Sequence, residues 1–204
     1  MEKTITTADI MAMESMVRRN FVNTLSGIKS AQLLGTISEE GIDNLGTFNS
    51  LVHIGANPPL LGFIMRPLTV NRQTYNNIKN NGHYTLNQIH EQIVAPAHQC
   101  SAKYAPEVSE FDATGLTPQR SESLKAPYVK EAFIKIGLEY IEEYPIKANG
   151  TILIIGKVLE VKIPETAIEE SGHVDLAAWQ GVGVSGLDTY YKQEKMLRLP
   201  FARP

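Results

Sequence analysis

Arg66, Arg72 and Thr74 stand where an apolar run gives way to a polar, helix-like one, in NLGTFNSLVHIGANPPLLGFIMRPLTVNRQTYNNIKNNGHYTLN from Asn44 to Asn87. Guanidinium groups make forked, charge-assisted bonds to phosphate oxygens. The first turn of a helix adds free backbone N–H groups and the positive end of its dipole. The three residues therefore offer a cradle for a phosphorylated cofactor. The same residues also allow a plainer reading, in which Thr74 caps the helix and both arginines are simply solvated.

Other reactive side chains offer less. His83, His90 and His98 match no tight ligand spacing, and no Asp or Glu completes a set, so no metal site is expected. Cys100 lies two residues after His98, as a thiol and its base could. No third group orients such a pair, and the preferred reading is a small buried hydrophobe at a helix end. His53 sits in an apolar strand and reads as a satisfied core residue, with approach to a bound ligand as the alternative.

These residues need elements to hold them. Ile10, Met13, Val17, Phe21 and Leu25 recur at helical spacing, which predicts one N-terminal packing helix over 1–27, stopped at Gly27. Strand-like residues Ser30 to Ile37, a turn at Glu39-Glu40-Gly41 and a second strand from Ile42 to Ile54 predict a hairpin. Pro58-Pro59 makes a corner before a strand from Leu60 to Met65. A helix then opens on Thr74 and closes at Gly82, and His83 to Leu86 re-enters the sheet. Glu91 to Cys100 is helical, and Ser101 to Lys125 carries little regular structure. Asn149-Gly150 tolerates positive φ and predicts a long hairpin between Ala132–Tyr144 and Thr151–Ile163. After an acidic, solvated span from Glu165 to Asp175, Val182 to Val184 forms the last strand. Many strands, few helices and no glycine-rich dinucleotide fingerprint favour an antiparallel barrel over a doubly wound sheet.

The 204 residues form one expected domain, 1–204, with barrel and tail over 28–204. A net charge of -3 gives no electrostatic reason to expect nucleic acid. One cysteine excludes an internal disulfide and fits a reducing, cytoplasmic compartment. No signal peptide or membrane-spanning run is read, so no membrane partner is expected. Leu197, Leu199 and Phe201 make an apolar tail that is expected to dock on its own barrel or on a second subunit.

An ordered set of motifs carries a resemblance. Asn44-Leu45-x-x-Phe48-x-Ser50, Asn57-Pro58-Pro59-Leu60, Arg72-x-Thr74-x-x-Asn77-Ile78 and Gly82-x-Tyr84-Thr85-x-Asn87 resemble the flavin reductase-like family of FMN-binding split barrels. Cys100-Ser101-Ala102, Glu110-Phe111-x-x-x-Gly115-Leu116-Thr117 and Gly186-Leu187-Asp188-x-Tyr190-Tyr191 extend the likeness downstream.

The resemblance implies a mainly β fold, an antiparallel split β-barrel with a few peripheral helices. It implies noncovalent FMN, with Thr47, Phe48, Asn49, Ser50, Leu51 and Val52 beside the isoalloxazine and Arg66, Arg72 and Thr74 on the phosphate. Ser101 and Ala102 would lie near the flavin; Tyr104, an aromatic in the loop that follows, either packs on the cofactor or anchors that loop. It further implies NADH or NADPH as co-substrate and a homodimer with flavin near the subunit interface. Many members carry a histidine followed shortly by Pro-Leu on the nicotinamide side. Here His173 is followed by Val174-Asp175-Leu176, and Trp179 or Tyr190 is left to cover that face. Two other readings stay open: an FMN-binding electron carrier without a nicotinamide site, and a split barrel holding pyridoxal phosphate or haem.

Overall fold

A computed structural model describes residues 1–203. Two helices open the chain, α1 (Thr7–Ala12) and α2 (Ser15–Leu25). They correct the single helix expected there. Thr6 and Asp9 form a capping box on α1, and the Glu14 carboxylate accepts from Met16 and Val17 to start α2, so the chain turns at Met13. Neither helix contains a fully buried residue; Phe21 is half-buried, and Thr24 lies against Gly186.

The strands follow as β1 (Lys29–Ser30), β2 (Gln32–Ile37), β3 (Asp43–Phe48), β4 (Val52–Ala56) and β5 (Pro59–Met65). Helix α3 (Gln73–Asn81) and β6 (His83–Gln88) come next, then a 3-10 turn at Glu91–Ile93, α4 (Val94–Gln99) and α5 (Glu110–Thr114). The rest is β7 (Pro118–Gln119), β8 (Tyr128–Val129), β9 (Lys135–Ile146), β10 (Thr151–Lys162), a 3-10 turn at Glu165–Ala167, β11 (Val182–Ser185) and β12 (Thr189–Lys192). Strand β12 adds to the expectation that β11 is the last. Helix α5 and β7 likewise interrupt the span expected to be irregular. The Asn149-Gly150 hairpin stands as expected, with Gly150 at φ 74.

Seven strands form the main sheet in the order β3-β2-β6-β9-β10-β5-β4. Consecutive β3 and β4 thus occupy opposite edges. In a flat sheet those edges would stand about 29 Å apart, since neighbouring strands are spaced by roughly 4.8 Å. The path from Phe48 to Val52 reaches only about 14 Å fully extended. The sheet must therefore curl until its edges nearly meet, and residues 49–51 carry the chain across the gap. This is a split barrel, and it explains why the expected strand Ile42–Ile54 is two strands.

Leu34, Phe63, Met65, Ile78, Tyr84, Leu86, Leu138 and Ile154 fill the barrel interior. Phe48 joins them edge-on to Phe63 at 5.1 Å, and Phe63 meets Tyr84 at 5.6 Å. On the other side of β2, Leu33 packs with Leu45, Ile89, Ala97, Phe111 and Val182 under α4 and α5. β2 is buried on both faces, which is why its sequence does not alternate.

Candidate functional site

The segment that bridges the two sheet edges is the centre of the candidate site. Asn49 anchors one side, its Nδ2 donating to Gly186 O at 2.7 Å. Ser50 anchors the other: its Oγ accepts from Ile64 N at 3.1 Å and donates to Ile64 O at 3.2 Å. Ser50 thereby substitutes for one ladder step against β5. The N–H groups of Asn49, Ser50 and Leu51 donate to no other backbone group among the described residues. Leu45 N–H points away from β2, to Glu110, and strand alternation aims Thr47 N–H the same way. A row of main-chain donors is thus presented along β3 and the bridge. Phe48 and Leu51 turn their side chains against the barrel interior, while Val52 is exposed at the start of β4.

Strand β3 is flanked on both faces. Asn44, Gly46 and Phe48 face α3, and a Cβ at Gly46 would lie 3.0 Å from Phe48 Cε2 and 3.4 Å from Thr74 Oγ1. Thr47 faces α4, donating to Ala97 O at 2.7 Å.

At the start of α3 the expected cap is corrected. Arg72 is the N-cap, with no side-chain cap bond, and Thr74 lies inside the first turn. The Thr74 hydroxyl donates to Asn44 Oδ1 at 3.1 Å. The first-turn N–H groups are left open to an incoming anion. Arg66 is exposed and Arg72 half-buried, and neither pairs with a carboxylate among the described residues. Arg72 Nε reaches only Pro67 O, at 3.4 Å.

Ser101 and Ala102 are exposed just beyond α4, and Tyr104 is half-buried, accepting from Gln99 Nε2 at 3.0 Å. Their loop returns to α3, where Gln73 Nε2 donates to Pro106 O at 3.2 Å. Tyr190 belongs to the same neighbourhood, its hydroxyl 3.2 Å from Nδ1 of His98 on α4. Trp179 lies elsewhere, packed at 5.2 Å on Phe133, whose ring stacks on buried His90. His173 is exposed, its carbonyl accepting from Glu169 N.

Glu110 stands in a motif that carries the resemblance, but sequence reasoning gave it no role. Its carboxylate is 5% exposed and accepts at 2.9 Å from both Asn44 Nδ2 and Leu45 N. Burial raises its affinity for a proton, and the bonds from Leu45 and Asn44 oppose this. The available signal was local: Ser109 caps α5 and Gly115 ends it at φ 74, marking a helix inside the irregular stretch.

Cys100 is 3% exposed, and burial pushes its thiol up to about 11. Such a thiol is inert. Alkylation by iodoacetamide near neutral pH is expected to run at least about a hundredfold slower in the native protein than in denaturant. Equal rates would restore the nucleophilic reading.

No group of three or more His, Cys, Asp or Glu residues placed to hold a metal occurs among the described residues. No described helix is long and apolar enough to cross a membrane. A concavity of about 670 Å³ lies away from the site, lined by Ile37, His83, Arg120 and Leu124 among others. The 47–52 strip is not part of it.

The flavin reductase-like domain model matches residues 28–187. A split barrel domain protein from Shewanella frigidimarina is 42% identical and superposes with a TM-score of 0.95, covering 98% of this chain and 100% of that one. Nitrilotriacetate monooxygenase component B from Bacillus cereus shares the fold at 20% identity, with a TM-score of 0.85 and coverage of 98% and 99%. Flavoredoxin of Desulfovibrio vulgaris shares it at 23% identity, with a TM-score of 0.74 and coverage of 86% and 92%. The barrel split at residues 49–51, the donor row beside it and the match over most of the chain lead to one assignment: this protein belongs to the flavin reductase-like family.

Proposed function

We propose that the chain is an FMN-binding flavoprotein that takes a hydride from NADH or NADPH and passes the electrons to free flavin or another acceptor. The observation that carries this reading is the set of N–H groups of Asn49, Ser50 and Leu51 that donate to no other backbone group among the described residues, with Thr47 N–H aimed away from β2, set beside an uncapped helix start with two arginines free of carboxylates. When bound, the flavin supplies the hydride acceptor and the redox chemistry.

This chain's residues supply the rest. Backbone donors of Thr47, Asn49, Ser50 and Leu51 hold the polar edge of the ring and favour the negative charge that reduction places there, with Phe48 and Val52 beside it. Arg66, Arg72 and the first-turn amides of α3 hold the phosphate. Thr74 contributes its amide, since its hydroxyl proton is given to Asn44. Ser101, Ala102 and Tyr104 wall the site from the loop beyond α4. Tyr190, on the same side, covers the face where a nicotinamide stacks.

The strip is open on one side within a single protomer, and a second copy closes it in the proposed homodimer. Met196, Leu197, Leu199 and Phe201 support that arrangement. They are exposed, Phe201 to 90%, so their own barrel does not bury these side chains, while Lys195 and Arg198 of the same segment pair with Glu169.

A second reading, a flavin-holding electron carrier, is favoured by the replacement of the Pro-Leu pair after His173 and by that residue's exposure. One experiment separates the two. The purified protein is expected to show flavin absorbance that bleaches on anaerobic addition of NADH or NADPH. Bound flavin that neither nucleotide reduces would leave the carrier; a colourless protein that takes up no FMN would remove both.

A further inference from the structure

We infer that Glu110 is a positioning residue for the flavin phosphate, acting through Asn44 to fix the start of α3 against β3. This deepens the proposed FMN site and rests on it. Asn44 is 6% exposed and lies at the junction of three elements. Its Oδ1 accepts from Thr36 Oγ1 on β2 and Thr74 Oγ1 on α3, each at 3.1 Å, and its Nδ2 donates to Glu110 Oε2 on α5 at 2.9 Å. Asn77, one turn further along α3, donates to the same Thr36 hydroxyl at 3.1 Å.

Amide orientation decides what this cluster does. A carboxylate can only accept, so Glu110 holds the Asn44 amide with nitrogen toward α5 and oxygen toward the two hydroxyls. Rotated by half a turn, the amide would set its oxygen against the carboxylate, and the two hydroxyls would have to accept from its nitrogen, turning their own protons elsewhere. With the orientation fixed, the Thr74 hydroxyl proton points inward, and the helix start is drawn onto Gly46, which has no side chain to hold it off. The outward N–H groups of that turn are then placed for a phosphate. Glu110 touches no part of the ligand; it acts through a neutral amide, which keeps its own charge off the anion.

The test compares FMN with riboflavin, which lacks the phosphate, by quenching of flavin fluorescence on apo-protein. Glu110→Ala is expected to weaken FMN about tenfold, the cost of a buried amide left unpaired, while riboflavin affinity stays within about twofold. Glu110→Gln is expected to keep the preference for FMN, because both bonds end on one oxygen that a glutamine carbonyl can replace. A parallel loss for both ligands would make Glu110 merely structural and overturn the inference, as would no loss at all. If Glu110→Ala does not fold, Thr74→Val cuts the relay at its other end, and it must show the same selective loss. Wild-type protein that binds riboflavin as tightly as FMN would remove the phosphate cradle itself, before any variant is compared.

Discussion

Arg66→Ala combined with Arg72→Ala is expected to lower FMN affinity about a hundredfold, because each arginine supplies charge-assisted bonds worth roughly 1.5–3 kcal/mol before screening at the exposed position. Stability is expected to stay within about 0.5 kcal/mol of the parent, as for surface changes away from packed features. Neither side chain is paired with a carboxylate, and the Arg72 bond to Pro67 O is long at 3.4 Å. Affinity of the parent should fall with added salt, and that of the double variant should fall less. Fluorescence titration at two ionic strengths checks both statements. FMN bound as tightly by the double variant would mean that the phosphate sits elsewhere.

How much of this site was legible depended on how local each signal was. Gly82 and Gly150 stand at positive φ where the sequence placed a helix end and a hairpin turn, since both are decided by a few neighbouring residues. The motif-bearing stretch from Thr47 to Val52 was found, but not its place as the bridge between the two edges of the sheet. Ile42 to Ile54 reads as one strand because Asn49-Ser50, with no Gly or Pro beside it, is only a weak break. Only the strand order, with β3 and β4 at opposite edges, shows that these residues close the barrel.

Thr74 was misplaced for a related reason. A threonine ahead of a polar helix is a good cap on local grounds, but its hydroxyl is claimed by Asn44, 30 residues earlier. Glu110 was further out of reach, since its partners lie 65 and 66 residues away. The helix break at Met13 did have a local signal, the Thr6-x-x-Asp9 box followed by Glu14, which the regular apolar spacing masked.

The largest stability effect is expected inside the barrel, where β10 passes under Tyr84. Tyr84 is 0% exposed, its hydroxyl has no hydrogen-bond partner among the described residues, and burial alone pushes its ionisation upward. Gly156 faces that ring: an added Cβ would stand 2.8 Å from Cζ and 3.0 Å from Cε1, and closer still to the hydroxyl. Gly156→Ala is therefore expected to cost about 3 kcal/mol, the upper end for overpacking a filled core, and to lower Tm by roughly 6–12 °C. Tyr84→Phe is expected to go the other way, by about 1 kcal/mol, since it removes a buried polar group that bonds to nothing. The two changes meet at the same atom, so they should not add. In the Tyr84→Phe background, Gly156→Ala should cost about half as much, a coupling of more than about 1 kcal/mol in a double-mutant cycle followed by denaturant unfolding. Additive losses would show that the ring can withdraw from β10, and a Tyr84→Phe protein weaker than its parent would show that the hydroxyl has a partner.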